Sequence, residues 1–432
     1  MNEGKGLYFR ENPEILYEVK AQGGGLKDKE TLRCKGWRQE TILRMLEFNM
    51  ENAEIPELLV IYGGNGKCAR NWESYWAIVD SLKNLEDDET LVVQSGMPVA
   101  IFKTHKEAPV VVMATTNIMQ ATWERFYDLQ DKNLTIFAQY TAAPWEYIGT
   151  QGVIEGTFET LSAIAMKKFN DDLSGKIYLT AGAGGMGANQ TWAMKMHGGV
   201  CIVVDVNEKT MKKRIEKDYL DIIVPSLEEA IKIAKENAKA KKPISIGVVG
   251  NAADMYEKVL ASDFRPDICS EMCPCHDPIS YIPSGYTAEE ADKLRIENRE
   301  KYLQLARETM KRQLAAMVAL KTDGVEVFEY GTSIRKECMD AGFPREEAMK
   351  IKGFVAEYIR PLFCEGRGPF RWTCLSRDPE DLKVSDDIAL EICKGDKLVE
   401  RWVNLARKNL PIEGIPARVC YMGFGERNLV LL

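Results

Sequence analysis

Residues Lys176–Asp205, KIYLTAGAGGMGANQTWAMKMHGGVCIVVD, give the clearest indication of the fold. A short apolar run precedes Gly182, Gly184 and Gly187, whose G-x-G-x-x-G spacing predicts a strand, a tight turn and a helix that begins at a pyrophosphate. A second apolar run ends at Asp205, 18 residues after Gly187. A carboxylate there binds the ribose diol of NAD and repels the 2′-phosphate of NADP. A structural turn is the alternative, but the order of these elements favours a dinucleotide site.

Bulk properties argue against several classes of protein. The 432 residues suffice for about two or three domains, and a net charge of −8 with scattered basic residues argues against a nucleic-acid partner. The N-terminal residues lack the pattern of a signal peptide, and no apolar run approaches the ~18 residues that span a membrane. Eleven cysteines spread thinly over the chain are typical of free thiols in a reducing compartment. We therefore expect a cytoplasmic protein without a membrane partner.

Strand and helix patterns alternate on both sides of the glycine motif. Before it, the patterns predict helices at about 32–49, 71–85 and 149–171, and strands at about 57–62, 90–94, 99–102 and 110–114. After it, they predict helices at about 227–239 and 252–261, one long charged helix at 287–320, and strands at about 244–250, 267–270 and 326–330. This alternation is typical of a doubly wound parallel sheet.

Asn251 follows the predicted strand at 244–250. Ligands of open α/β sheets collect at the carboxyl ends of the strands, so this side chain can bind the nicotinamide ribose or the amide of the cofactor. It can equally cap the helix that follows. The local sequence leaves both interpretations open.

Nine segments, in order between about residues 36 and 427, match the motifs of a known family. They are YGGNGKCARNWESYWAIV from Tyr62, LEDDETLVVQSGMPVAIFKTH from Leu85, YIGTQGVIEGTFET from Tyr147, LTAGAGGMG from Leu179, GNAAD from Gly250, RPDICSEMCPCHDP from Arg265, FEYGTSIRK from Phe328, YIRPLFCEGRGPFRW from Tyr358 and GIPARVCYMGFGER from Gly414. With these motifs the chain resembles urocanase (urocanate hydratase).

The resemblance implies a fold, an assembly and an activity. The fold is α/β, with a core domain at 1–148 and 346–432 and an inserted, doubly wound Rossmann-like NAD-binding domain at 149–345, in a homodimer. The activity is the addition of water to urocanate, or to a close imidazole-acrylate, to give imidazolone propionate in histidine degradation. NAD⁺ is then a tightly bound electrophile that is not consumed. The alternatives are a truncated, weakly active or inactive NAD-binding paralogue and, less favoured, an NAD-dependent dehydrogenase.

The family's site residues fall on particular positions of this chain. Arg371 matches the arginine that binds the substrate carboxylate, and its planar fork suits that role. Cys420 matches the active-site cysteine, although a buried inert thiol is the alternative. Tyr62 is a further catalytic candidate, because a phenol can relay a proton or orient water, whereas a buried core tyrosine is the alternative. Together with the glycine motif, the expected cofactor contacts are Gly63, Gly64, Gln139, Gly184, Gly185, Met186, Gly187, Asp205, Asn251, Ala252, His276, Tyr281 and Tyr330.

Some segments depart from the family pattern. The chain ends at Leu432, before a segment that supplies a second substrate-binding arginine and a glycine-rich cofactor contact in the family. The stretch Thr115–Trp123 is shortened and lacks a histidine, and Gln139–Trp145 is altered. Met272 replaces a glutamine that contacts the cofactor. These departures predict a related substrate or weak activity.

A cluster of cysteines close to Met272 raises the alternative of a zinc site. Cys269, Cys273, Cys275 and His276 lie within eight residues, but they lack paired C-x-x-C spacing and a second set of ligands. We therefore expect no metal, and a cofactor-facing loop instead.

Overall fold

The computed structural model describes residues 32–431 except 54, 63–65, 115–117, 121, 137–143, 148, 150, 375–377 and 411–415. The described helices are α1 (Trp37–Glu51), α2 (Trp72–Asn84), α3 (Trp123–Asp131), α4 (Gln151–Lys168), α5 (Asn189–Met196), α6 (Glu208–Glu216), α7 (Leu227–Lys239), α8 (Ala252–Ala261), α9 (Ala288–Glu297), α10 (Arg299–Thr322), α11 (Ile334–Asp340), α12 (Arg345–Ala348), α13 (Arg360–Cys364), α14 (Pro379–Ile392), α15 (Lys397–Asn409) and α16 (Phe424–Leu431). The described strands are β1 (Val60–Tyr62), β2 (Gly66–Lys67), β3 (Glu89–Gln94), β4 (Met97–Lys103), β5 (Val111–Ala114), β6 (Ile177–Ala181), β7 (Val200–Asp205), β8 (Ile222–Val224), β9 (Ile244–Val249), β10 (Ile268–Cys269), β11 (Glu326–Glu329), β12 (Lys352–Gly353), β13 (Arg367–Thr373) and β14 (Ala417–Gly423).

Contacts divide the chain into two compact units. One comprises residues 1–149, 371–387 and 411–418, and the other comprises residues 150–370, 388–410 and 419–432. In the first unit, β3 pairs antiparallel with β4 and parallel with β5, and buried residues of α1, α2 and β3 form one core. No described helix is both long enough and apolar enough to cross a membrane. The domain boundaries expected at 149 and 345 stay a prediction.

The second unit contains a seven-stranded parallel sheet in the order β12-β11-β10-β6-β7-β9-β8. The chain runs from β6 outward through β7 to β8 and β9, and then returns to the other side of β6 at β10. This reversal confirms the predicted doubly wound sheet. In sheets of this topology ligands bind at the carboxyl ends of the strands on either side of the reversal, which are β6 and β10 here.

Continuous apolar runs explain why the central strands are buried on both faces. All five residues of β6 and the first five of β7 are buried, as expected for parallel strands covered by helices. Polar side chains define where the helices begin: the side chain of Ser226 accepts a hydrogen bond from the backbone N–H of Glu229 at the start of α7.

The prediction of one continuous helix at 287–320 is wrong. The structure has two helices, α9 and α10, separated at Asn298. Asn298 has non-helical backbone angles (φ −152°, ψ 79°), and its side chain accepts a hydrogen bond from the backbone N–H of Lys301. Asparagine competes with the helix for such N–H groups and caps the next helix instead.

Two glycines of the motif are required by close backbone packing. A Cβ at Gly182, whose φ is +87°, would lie 2.4 Å from the carbonyl oxygen of Met272. A Cβ at Gly187 would lie 2.0 Å from the carbonyl oxygen of Gly182. By contrast, nothing lies within 4 Å of the Cβ position at Gly184 or Gly185. The outer glycines therefore hold the loop together, whereas the inner ones leave its surface open.

We expect Gly187→Ala to lower the free energy of unfolding by about 2–3 kcal/mol, because the added methyl group meets backbone that cannot move aside. Gly184→Ala is the matched control, and its methyl group enters open space, so a change within ~0.5 kcal/mol is expected. Urea denaturation followed by circular dichroism measures both. Equal destabilisation by the two variants would contradict the packing described for Gly187.

Candidate cofactor and active site

The glycine loop lies at the carboxyl end of β6, at the point where the strand order reverses. Helical turns begin at Gly184, whose carbonyl oxygen accepts a hydrogen bond from the N–H of Ala188 (3.1 Å), and α5 follows directly. Residues 184–186 are exposed. A helical start with open space above its glycines fits a pyrophosphate, which needs close approach to backbone N–H groups and a positive helix end.

Asp205, at the end of β7, holds the glycine loop in place. Its Oδ2 accepts a hydrogen bond from the N–H of Ala183 (2.6 Å), and its Oδ1 accepts one from the N–H of Asn207 (2.7 Å). On the other side of Ala183, the carbonyl oxygen accepts a hydrogen bond from Nε of Arg214 (2.8 Å). Both peptide groups of Ala183 are thus fixed. Asp205 therefore has a structural task besides the expected ribose contact.

The electrostatics of Asp205 reflect the same arrangement. Burial raises the pKa of its carboxyl group, while the hydrogen bonds from Ala183 and Asn207 and the positive charge of Arg214 oppose that rise. Arg214 was not predicted from the sequence. Its position two residues before the end of a charged helix carries no signal of a contact with a loop 31 residues earlier.

Asn251 caps α8. Its side-chain oxygen accepts a hydrogen bond from the N–H of Ala253 (2.9 Å), and its Nδ2 donates to the carbonyl oxygen of Ile282 (3.0 Å). The capping interpretation is therefore observed, and the contact with the cofactor stays a prediction. Ala252 is buried in the first turn of the same helix.

The two tyrosines expected near the cofactor have protein partners for their hydroxyl groups. Tyr281 donates to Oε1 of Gln313 (2.7 Å), and Tyr330 shares a hydrogen bond with Oγ1 of Thr157 (2.6 Å). The ring of Tyr330 stacks on Phe354 with 4.5 Å between centroids. Burial raises the pKa of Tyr330 to about 12, so its phenol is neutral at physiological pH.

Glu271 is a buried carboxyl group that the sequence analysis did not single out. Its Oε1 accepts a hydrogen bond from Thr332, and its Oε2 accepts from the N–H of Cys273 (3.0 Å) and from Sγ of Cys275 (3.8 Å). Burial raises its pKa to about 8, against the opposing effect of the Thr332 hydrogen bond. A neutral carboxyl group thus joins the loops that follow β10 and β11. His276 lies exposed on the first of these loops.

The buried proton of Glu271 makes stability depend on pH. The folded protein keeps this proton where the unfolded chain loses it, so its stabilising effect is complete below pH 4.5 and is lost as the pH rises to about 8. We expect Glu271→Gln, which resembles the neutral form, to gain stability relative to the parent protein across this range, by at most ~1.4 kcal/mol per pH unit. Urea denaturation between pH 5 and pH 8 measures the difference.

Glu236→Gln, on the exposed face of α7, serves as the control for this pH dependence. The difference in the free energy of unfolding between Glu236→Gln and the parent protein should stay constant over the same pH range. A constant difference for Glu271→Gln as well would show that Glu271 is ionised throughout.

The cysteines of the β10 loop are buried thiols. Burial raises the pKa of Cys269, Cys273 and Cys275. Within the described part of the chain, no three His, Cys, Asp or Glu side chains are grouped so that they could hold a metal ion. All eleven cysteines of the chain are free.

Cys420 lies on β14 and is 1% exposed. Burial raises the pKa of its thiol well above the ordinary value of 9.0, and the negative charges of Glu155 and Glu159 raise it further. Its Sγ donates a weak hydrogen bond to the carbonyl oxygen of Tyr421 (3.8 Å). Such a group is a neutral thiol, which can donate a proton or shape a pocket but is a poor nucleophile.

The remaining expected residues belong to the first unit. Arg371 lies on β13, and its side chain is exposed. Tyr62 is the last residue of β1, whereas Gly63, Gly64 and Gln139 lie outside the described residues. Of the altered segments Thr115–Trp123 and Gln139–Trp145, residues 115–117, 121 and 139–143 lie outside them as well.

A doubly wound parallel sheet with an open glycine turn at its point of reversal defines a Rossmann-like α/β protein. Comparison with known families agrees and goes further. The urocanase N-terminal domain matches residues 26–146, the urocanase Rossmann-like domain matches residues 149–358, and the urocanase C-terminal domain matches residues 361–432. The chain therefore belongs to the urocanase family, and its function is that of a urocanate hydratase, a hydro-lyase of histidine degradation.

Among solved structures, L-tryptophan dehydrogenase from Nostoc punctiforme matches with 13% sequence identity. The match covers 69% of this chain and 69% of that chain, with a TM-score of 0.21. A similarity this low supports no conclusion about fold or function.

Proposed function

We propose that this urocanate hydratase adds water to urocanate, or to a close imidazole-acrylate, with NAD⁺ held tightly at the glycine loop and not consumed. The observation that supports the cofactor is the open space above Gly184 and Gly185, where nothing lies within 4 Å of either Cβ position. Backbone of this kind can approach a pyrophosphate closely.

Each residue of the proposed cofactor site has a separate task. The backbone from Gly184 to Gly187 and the start of α5 would hold the phosphates, and Asp205 would bind a ribose hydroxyl with the lone pairs that its backbone partners leave free. Asn251 and Ala252 lie at the carboxyl end of β9, on the same edge of the sheet. Bound NAD⁺ supplies an oxidised pyridine ring, an electrophile that withdraws electrons from the imidazole ring of the substrate.

The remaining residues act on the substrate. Arg371 would bind its carboxylate through two parallel hydrogen bonds. Cys420 keeps its proton at neutral pH, so it would orient water or line the pocket rather than attack the substrate. We also propose that the protein is a cytoplasmic homodimer, which the family resemblance implies and light scattering can test.

Isolated protein should release NAD⁺ when it is denatured, as identified by mass spectrometry, and should consume urocanate without producing NADH. Urocanate turnover without bound NAD⁺ would remove the cofactor proposal. NADH production would instead indicate a dehydrogenase, and bound NAD⁺ without turnover of urocanate would indicate an inactive paralogue.

Gly184→Val should abolish retention of NAD⁺, because its side chain fills the space above the loop. The control is Gly324→Val, at a turn of φ +91° before β11 and therefore at the amino end of the sheet. Valine strains the backbone there but leaves the glycine loop untouched, so NAD⁺ should be retained. A normal NAD⁺ content in Gly184→Val would show that the pyrophosphate does not bind at this loop.

Arg371→Ala should raise KM and lower kcat/KM for urocanate by roughly two orders of magnitude, about 2–3 kcal/mol, because a charged hydrogen-bonded pair is lost. Arg371→Lys should recover only part of this loss, since an ammonium group lacks the planar fork. The control is Arg299→Ala, which removes another exposed arginine and should leave the kinetics unchanged. Unchanged kinetics in Arg371→Ala would assign the carboxylate to another residue.

A further inference from the structure

The backbone around Cys420 is held by side chains of α4. The N–H of Val419 donates to Oε1 of Gln151 (3.4 Å), and the N–H of Tyr421 donates to Oε1 of Glu155 (2.9 Å). These pairs lie on both sides of Cys420 and within one compact unit. Side-chain oxygens of a neighbouring helix thus accept the hydrogen bonds that these N–H groups would otherwise donate to the carbonyl groups of another strand.

The spacing of these residues explains why one helix can serve both amides. Residues Gln151 and Glu155 are one turn apart on the same face of α4, a rise of about 6 Å. Two residues of a strand span about 6.6 Å, and their N–H groups point to the same edge. The two acceptors on the helix therefore match the two donors on the strand.

The carbonyl groups of the same strand residues are also bound. The carbonyl oxygen of Val419 accepts a hydrogen bond from Nε1 of Trp402 (2.6 Å), and that of Tyr421 accepts one from Nη2 of Arg367 (3.2 Å). The backbone flanking Cys420 is thus fixed at four points. Two of these points belong to α4.

We propose that Gln151 and Glu155 are positioning residues for the hydration of urocanate, which hold the strand on both sides of Cys420 and so determine where its thiol lies. The proposal rests on the proposed role of Cys420 in that reaction. The same helix binds the hydroxyl group of Tyr330 through Thr157 (2.6 Å). Helix α4 therefore connects the strand of the proposed active-site thiol with a proposed cofactor contact.

Glu155 has a second effect through its charge. It is 1% exposed, and with Glu159 it raises the pKa of the Cys420 thiol, after the larger effect of burial. The other groups that act on this thiol or are influenced by it are Cys393, Asp396 and Arg367. Because alkylation requires the thiolate, the rate of alkylation of Cys420 reports both the charge of Glu155 and the rigidity of the strand.

Two substitutions separate the hydrogen bond from the charge. Glu155→Met removes both, whereas Glu155→Gln removes the charge and keeps an oxygen for the N–H of Tyr421. In Glu155→Met we expect kcat to fall roughly tenfold or more with KM within about threefold, and alkylation of Cys420 to accelerate at least about tenfold. Glu155→Gln should restore most of the lost kcat while its Cys420 alkylates at lower pH than that of the parent protein. Peptide mass spectrometry of the full-length protein measures the alkylation.

Glu159→Met is the matched control. Glu159 is equally buried one turn further along α4, and its Oε2 has no hydrogen-bond partner among the described residues. It bonds neither Val419 nor Tyr421 in the described structure, so Glu159→Met should keep kcat within about threefold of the parent value. Equal losses of kcat in Glu155→Met and Glu159→Met would overturn the proposal, as would unchanged kcat and alkylation in Glu155→Met.

If Glu155→Met does not fold, Glu155→Asp replaces it. This variant keeps the charge and withdraws the acceptor by one methylene group, so parental kcat and alkylation in Glu155→Asp would overturn the proposal. Full activity of Cys420→Ala would likewise contradict the proposal, because Gln151 and Glu155 would then position a thiol that the reaction does not need. Failure of the parent protein to turn over urocanate would instead refute the proposed function, while the alkylation rates still test how the strand is held.

Discussion

The candidate site is built on close backbone packing between the glycine loop and the loop after β10. The carbonyl oxygen of Met272 would clash with a Cβ at residue 182. The carbonyl oxygen of Gly182 would likewise clash with a Cβ at residue 187. Only glycine fits at these two positions. The packing at Gly182 and Gly187 thereby fixes the loop, and the backbone of Gly184 and Gly185 is left exposed.

Buried carboxyl groups then fasten the surrounding loops. Asp205 binds the N–H of Ala183, Glu271 joins the loops after β10 and β11, and Glu155 binds the N–H of Tyr421. Placing such groups away from water is unfavourable, which is why burial raises the pKa of both Asp205 and Glu271. Hydrogen bonds to backbone and side-chain groups offset this cost.

The parts of the fold that could be predicted from sequence are those specified by local patterns. The apolar runs of β6, β7 and β9, and the full extents of α7 and α8, depend on neighbouring residues, so their positions were predicted closely. The break at Asn298 was missed because a polar residue within a charged helical pattern resembles any other surface position. Local sequence also left the role of Asn251 open, and the structure shows its cap.

The candidate site was predicted only as far as its motifs extend. The glycine spacing located the loop, but the second task of Asp205 depends on Ala183, 22 residues earlier, and Glu271 depends on Thr332, 61 residues later. Gln151 and Glu155 were missed for the same reason, because their partners lie more than 260 residues away. Pairings over such distances are set by the assembled fold, and a single sequence carries no signal for them.

The match between one helical turn of α4 and two residues of β14 also bears on solubility. A strand with unpaired N–H groups along one edge can recruit a strand of another molecule and start aggregation. At Val419 and Tyr421 that edge is already occupied by an amide and a carboxylate of the protein's own helix. Helix α4 thus acts as a substitute neighbouring strand, one that cannot itself be extended by further strands, and β14 ends the ladder instead of continuing it between molecules.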